Sequence, residues 1–389
     1  MNQSGNTKPY QICTRCVMDT TDPAIVFDAK GICNHCHKYE IVTRDHEILR
    51  ASNTNGLNNI VKEISNYGRQ GKYDCIIGLS GGVDSTFVAY KVKELGLRPL
   101  AVHLDNGWNS EVSVNNIVKT LKALNIDLYT HVINWEEFRD LQIAFLKASI
   151  PGMEIPTDHA IFAILYQLAF KNNIKYIING SNIATEAVMA PSWSEAVGQK
   201  DWLLIKNIHR RFGKVPLKTF PHFSRFDLFY TKLFRKINTI NILNYMEYNK
   251  EQAMETIQNK LGWVYYGGKH YESIYTRFIQ GYILPIKFGI DKRKAHFSSL
   301  ICSGQLTRDA ALKELEKDPY PSQTLKQTDL NFFLKKLNLT NEQFEEILKF
   351  PCKSYLDYPC YANKRMYNYV YKRGLKIHFY LKRHNFYKN

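Results

Sequence analysis

The chain has 389 residues, 44% hydrophobic and 13% aromatic, with 52 Lys and Arg against 36 Asp and Glu for a formal net charge of +16. That length and apolar content support a large packed core over two or three domains and exclude a disordered chain. No run approaches the roughly 18–20 apolar residues that span a bilayer, and residues 1–10 are polar and lack a secretion signal's apolar core, so a cytoplasmic protein is expected.

In chain order, residues 1–40 hold two tight cysteine pairs, and residues 41–72 read as a polar, mostly helical connector. From 73 to 200 strands alternate with helices. A strand at 74–79 precedes a helix at 83–95, and a strand at 99–104 precedes a helix near 110–125. A strand near 128–133 follows, then helices at 135–148 and 158–172 and a strand at 175–179. Such alternation predicts a parallel sheet covered on both faces, with ligands beyond the carboxyl ends of its strands. Residues 201–320 are less periodic, with helices expected at 226–260, 270–283 and 306–317. The last segment, 321–389, opens with helices at 328–337 and 340–349 and ends basic and aromatic: residues 361–389 carry eight Lys or Arg and no Asp or Glu. A second basic, aromatic stretch covers 206–236.

The sharpest signal is Ser80-Gly81-Gly82-Val83-Asp84-Ser85, between a predicted strand and a predicted helix. Two glycines without Cβ atoms let backbone N–H groups close around an anion, and the serine hydroxyls and helix N-terminus add donors and positive dipole. This is a pyrophosphate cradle without the Gly-Lys-Ser/Thr ending of a Walker loop. Asp105 and Asn106 end the next strand, where such sheets line a nucleotide cleft.

Cys13-Thr-Arg-Cys16 and Cys33-Asn-His-Cys36 have the spacing that wraps one tetrahedral Zn²⁺ in four thiolates, a closed structural site. His35 and His37 are expected on its surface. Cys75, Cys302, Cys352 and Cys360 are scattered and read as buried, inert thiols.

The hexapeptide resembles the PP-loop of N-type ATP pyrophosphatases, a group that includes NAD synthetase and tRNA-thiolating enzymes. The resemblance implies an adenine nucleotide alpha hydrolase-like α/β domain that cleaves ATP to AMP and pyrophosphate while adenylating a substrate oxygen. Ser80, Gly81, Gly82, Asp84 and Ser85 then hold ATP, joined by Asp105 and Gly180. The stretch Gly180-Ser-Asn-Ile-Ala-Thr-Glu186 is similar to the one whose glutamate holds Mg²⁺ in NAD synthetase, which makes Glu186 the Mg²⁺ ligand and Asp84 the second choice.

Further stretches carry a narrower resemblance: Cys16-Val-Met-Asp-Thr-Thr-Asp22, Leu261-Gly-Trp-Val-Tyr-Tyr-Gly-Gly-Lys-His-Tyr-Glu-Ser273, Thr276-Arg-Phe278, Lys287-Phe-Gly-Ile-Asp-Lys-Arg-Lys-Ala-His-Phe-Ser298 and Ser303-Gly-Gln-Leu-Thr-Arg-Asp-Ala-Ala-Leu312. From about residue 12 to 320 they resemble the N-acetyl sugar amidotransferases of bacterial surface-polysaccharide and LPS biosynthesis. That family implies adenylation of an acetamido oxygen on a nucleotide-linked or acidic sugar, followed by ammonia attack to give an acetamidino group. Residues 201–320 would complete the substrate site. Lys269, His270, Arg277, Lys287, Lys292 and Arg293 would bind phosphate or the anionic sugar, with His270 or Glu272 moving protons. No Gly-x-Cys-x-Gly elbow is present, so ammonia is expected from a partner glutaminase with a cyclase-like channel subunit, docked by 206–236 or the tail. The alternative is a tRNA 2-thiolation enzyme, which the lack of a C-x-x-C beyond residue 36 disfavours; nucleic acid is not the expected partner. A third alternative makes the basic tail a tether to a scaffold or, peripherally, to an anionic membrane.

Overall fold

The computed structural model describes residues 9–52, 56–193 and 199–363. Most of the basic tail, 364–389, lies outside them. At the centre is a five-stranded, all-parallel sheet of β1 (Cys75–Gly78), β2 (Pro99–Asp105), β3 (Asp127–Val132), β4 (Tyr176–Asn179) and β5 (Asn238–Asn241), in the order β3-β2-β1-β4-β5. The chain winds outward from β1 to β3, then restarts at β4 on the other side of β1. That reversal opens a crevice beyond the carboxyl ends of β1 and β4, which is where an α/β sheet binds ligands.

Alternation along the strands divides the core. Ile76, Leu100, Val102 and Ile177 face one layer, packed by helices Trp135–Ala148 and Ile155–Lys171. Ile77, Ala101 and Ile178 face the other, packed by Val83–Glu94 and Lys250–Leu261. Local chemistry sets the ends. Asn134 accepts the N–H groups of Glu136 and Glu137 to start helix Trp135–Ala148, and Ser149 closes it at φ 56°.

Two expected helices take another form. The span 226–260 is broken into helix Arg225–Leu233, edge strand β5 and helix Lys250–Leu261. Lys236, at φ 52°, ends the helical path, and the β-branched Thr239 and Ile240 pair with Ile177 and Ile178 of β4. The expected helix 270–283 is a short turn, Ile274–Phe278, running into a π-helical segment, Ile279–Phe288. The wider coil accommodates Pro285, which lacks an N–H and crowds the preceding turn of an α-helix. Two further helices, Trp202–Phe212 and Arg293–Cys302, lie outside the segments where the sequence predicts helix.

The cysteine module sits directly on helix Arg293–Cys302. The Val17 N–H donates to Ser298 Oγ at 3.2 Å, Lys294 pairs with Asp19, and the Arg308 guanidinium donates to the carbonyls of Cys13 and Cys16 at 3.0 and 3.1 Å. Among the described residues no helix is long and apolar enough to cross a membrane.

Candidate functional site

The hexapeptide leaves β1 and enters helix Val83–Glu94 as expected. Gly81 takes φ +79°, and a Cβ there would stand 2.4 Å from the Ser113 carbonyl oxygen, so only glycine fits. Trp263 Nε1 holds the Gly81 carbonyl at 2.9 Å. Ser80 and Ser85 hydroxyls lie 3.1 Å apart. Gly82 is the N-cap and offers no side chain to the first turn, so the N–H groups of a twelve-residue helix open into the crevice.

Segment 263–273 folds over this loop and forms the opposite wall. Tyr266 Oη accepts the Val83 N–H at 3.3 Å, a position a phosphate oxygen can take. Lys269 reaches Glu186 at 3.5 Å and the Thr185 carbonyl at 3.2 Å. His270 holds a left-handed φ of 63°, which costs an ordinary side chain about 1–3 kcal/mol, and its Nδ1 faces Glu272 Oε1 at 3.6 Å. The resulting cleft, of about 190 Å³, gathers Ser80, Gly82, Asp84, Ser85, Gly180, Glu186, Lys269, His270 and Glu272, all singled out in the sequence. It also gathers Lys250, Tyr265 and Tyr266, which were not.

The electrostatics are those of a built polar site. Burial, followed by the charge of Glu186, pushes the Asp84 carboxyl up, and Tyr248 donates its hydroxyl to Asp84 Oδ1. Burial and then the Lys269 charge bring Lys250 down. Burial pushes Glu272 up, but the bond to His270 and its charge outweigh this and leave the carboxyl below its usual range. Glu272 Oε2 is buried with no hydrogen-bond partner. Behind it, both ring nitrogens of His296 are buried without partners, 5.7 Å ring to ring from His270. Burial and then its basic neighbours, Lys269 first, with His270, Lys292 and Lys250, hold His296 well below an ordinary histidine. A neutral imidazole among cations can accept a proton or bond an incoming polar group.

Four other predicted residues have partners elsewhere. Lys287 Nζ caps a helix C-terminus through the carbonyls of Ile347, Leu348 and Phe350. Arg293 pairs with Asp291 at 2.7 Å. Arg277 forms a two-point pair with Asp329 at 2.7 and 2.8 Å. Lys292 reaches Glu154 at 3.4 Å. Asp105 accepts the Gly107 N–H at 3.0 Å and Asn106 the Trp108 N–H at 3.1 Å, so both shape the turn after β2.

A second, larger cavity of about 400 Å³ adjoins the first, between Tyr39 and Thr43 of helix Asn34–Ser52, residues 182–184, 243–244, 246–249 and 252, and Ser303-Gly-Gln305. Tyr248 lines it while its hydroxyl holds Asp84, so one residue links the two spaces. The Thr43 hydroxyl is buried there without a partner.

Cys13, Cys16, Cys33 and Cys36 are fully buried with all four sulfurs within 4.8 Å of one another. Neighbouring sulfurs stand 3.6, 3.7 and 3.9 Å apart, close to the about 3.8 Å edge of a tetrahedron with Zn–S bonds near 2.3 Å. The donor set fits structural zinc. His37 is exposed, as expected, but His35 is buried and bonds Asp22 at 2.8 Å. Cys75 and Cys360 are buried, whereas Cys352 is exposed. Cys302 places its sulfur 3.8 Å from Cys36 and is no remote thiol.

Residues 272–372 match the family described as "LPS biosynthesis protein WbpG-like, C-terminal domain". An uncharacterized protein of Methanocaldococcus jannaschii is 27% identical over 176 residues, 44% of this chain and 59% of that one. The tRNA-specific 2-thiouridylase MnmA 2 of Fusobacterium nucleatum is 27% identical over 142 residues, 34% of this chain and 38% of its own length. The chain thus spans less than two thirds of either relative. The solved NH3-dependent NAD synthetase of Campylobacter jejuni is 18% identical, with 53% of this chain and 84% of that one covered at a TM-score of 0.27.

Proposed function

We propose, for a chain that carries a WbpG-like C-terminal domain on a PP-loop α/β fold, that it is an ATP-dependent amidotransferase converting the acetamido group of an N-acetylated sugar into an acetamidino group. The observation that carries this is a convergence: the WbpG-like region begins at Glu272, inside the cleft walled by the PP-loop. Two parts of the sequence that are far apart build one site.

In this scheme the loop N–H groups and the Ser80 and Ser85 hydroxyls hold the pyrophosphate end of ATP. Glu186, with Asp84 as the second choice, would hold Mg²⁺, an ion that binds through one or two carboxylates plus phosphate oxygens and would neutralise charge there. Lys250 and Lys269 supply further positive charge where pyrophosphate leaves. The acceptor lies in the 400 Å³ cavity, its amide oxygen turned past Tyr248 towards the α-phosphate. Adenylation turns that oxygen, a very poor leaving group, into a phosphate ester. Ammonia, from a partner glutaminase with a channel subunit, then adds to the carbon, and the C–O bond breaks to release AMP. The proton lost by nitrogen passes to His270 or Glu272, with His296 behind them.

Ammonium, Mg²⁺, ATP and a panel of diacetamido sugars, nucleotide-linked and free, form the test, with bulk tRNA as a parallel acceptor. Sugar-dependent AMP release, with a product lighter by the difference between O and NH, is the expected result. AMP release that requires tRNA and ignores every sugar would replace this scheme with thiolation. The likeness to the thiouridylase supports that arm; the lining of the cleft opposes it, since it includes no cysteine among the described residues.

A further inference from the structure

Helix Arg225–Leu233 belongs to neither cavity. Phe226, Phe229, Tyr230 and Phe234 recur at the three- and four-residue spacing of one helical face. That face is bare: Phe226 is 74% exposed, Phe229 58% and Phe234 64%. Tyr230 joins the stripe to exposed Phe170, with ring centroids 6.4 Å from Phe170 and 5.4 Å from Phe234. Contiguous exposed aromatics on a folded domain mark a contact surface. The helix is already formed in water, because Ser224 and Asp227 close a capping box at its start.

The charge around the stripe is mainly positive. Arg235 stacks over Phe170 at 4.4 Å, Lys236 is exposed beside Phe234, and Arg225 stacks over Tyr361 at 4.4 Å. Asp227, bound to Ser224, is the helix's one acidic residue. Two residues beyond Tyr361 the described chain ends, and the sequence of 364–389 holds eight Lys or Arg and no Asp or Glu. An anionic surface attracts the cations beside the helix and those of that sequence alike. A nucleic acid duplex, its bases already stacked, would satisfy the cations and leave three phenylalanines in water. A lipid headgroup layer satisfies the cations at its surface and takes the rings below it.

We infer that helix Arg225–Leu233 docks the protein peripherally on an anionic lipid surface, with Phe226, Phe229 and Phe234 inserted and Arg225, Arg235 and Lys236 at the headgroups. This surface is independent of the proposed chemistry, and its test does not depend on turnover.

The purified full chain is sedimented with vesicles of phosphatidylcholine alone or mixed with phosphatidylglycerol, at low and at high salt. Binding is expected only with phosphatidylglycerol, and it should weaken as salt rises. The triple variant F226E/F229E/F234E should lose more than about tenfold in vesicle binding, since three insertions are lost and three like charges face the lipid. K236Q alone should lose roughly fivefold, the share of one surface cation. All four positions are exposed, so an unchanged melting temperature separates lost binding from lost folding. Equal binding to both vesicle types, or full binding by the triple variant, overturns the inference. So does a chain that ignores vesicles and instead binds tRNA without regard to the phenylalanines.

Discussion

Gly81 and Gly96 form a natural controlled pair. Both hold the same left-handed backbone, φ +79° and +78°, but a Cβ on Gly96 meets nothing within 4 Å, whereas one on Gly81 meets Ser113 O at 2.4 Å and Ser113 Cα at 3.2 Å. Gly96→Ala therefore carries only the conformational cost of an L residue there, about 1–2 kcal/mol. Gly81→Ala carries that cost plus an overlap with backbone that cannot retreat. Ser113 is fixed by its own N–H to Ser110 Oγ at 3.2 Å and by its hydroxyl to the carbonyls of Ser110 and Glu272 at 2.8 and 3.1 Å. Overpacking of that kind adds about 1–3 kcal/mol. The relief open to the chain is to shift the loop, and a shift near 1 Å at a reacting centre costs about a hundredfold in rate. Urea unfolding of both variants, with AMP formation in the presence of the best acceptor, reads the two effects. Gly96→Ala should keep its turnover, and Gly81→Ala should lose both more stability and about a hundredfold in rate. Equal stability and equal turnover in the two variants would refute the account of the cradle.

Three further outcomes are expected. Asp329→Ala strands the Arg277 guanidinium, which is paired at 2.7 Å and largely buried; breaking a buried pair from one side costs about 3–5 kcal/mol, read by denaturant unfolding. An Arg277→Met/Asp329→Leu double variant should recover most of that loss and keep AMP formation, whereas lost turnover there would place Arg277 in the chemistry after all. Burial holds the His159 imidazole down to about 4, against about 6.5 in an unfolded chain. The unfolded chain therefore takes up the proton first, so the stability from keeping His159 neutral is complete above 6.5 and is lost as pH falls through 4, about 3 kcal/mol in all. His159→Phe, within the ring stack with Trp202 and Phe223, should flatten the pH–stability curve over that window; parallel curves would contradict it. Finally, metal analysis should find one zinc per chain, and Cys33→Ser should lose it together with several degrees of melting temperature, whereas a metal-free protein of unchanged melting temperature would refute a structural zinc.

What could be read in advance was whatever depends on near neighbours in the chain. The cradle, the cysteine pairs and strands β1 to β4 announce themselves through local spacing, capping and β-branched runs. The strand β5 did not, because Asn238-Thr-Ile-Asn241 is short and polar and becomes a strand only by pairing with β4. The wall of the cleft was half legible. Lys269, His270 and Glu272 stood out as a dense polar motif, but Lys250 sits on a helix whose sequence gives no sign of the cleft, and His296 looked like one more basic residue among Lys292, Arg293 and Lys294. The same density misled at Lys287 and Arg293, whose cations serve a helix end and a neighbouring aspartate. Charge clustering marks a segment as important without saying which of its members turn inward.

The seating of the cysteine module on helix Arg293–Cys302 has a temporal side. Cys13 and Cys16 are made nearly 300 residues before the Arg308 that grips their carbonyls, and Val17 is made 281 residues before its partner Ser298. At synthesis rates of about 5–20 residues per second, the module waits some tens of seconds without its seat. Four clustered thiols left empty for that long are open to oxidation and mispairing. Zinc taken up at emergence would close them at once and hand the late helix a finished surface to fold against. Cells starved of zinc during expression should then yield a chain damaged at birth, one that metal added after purification does not repair.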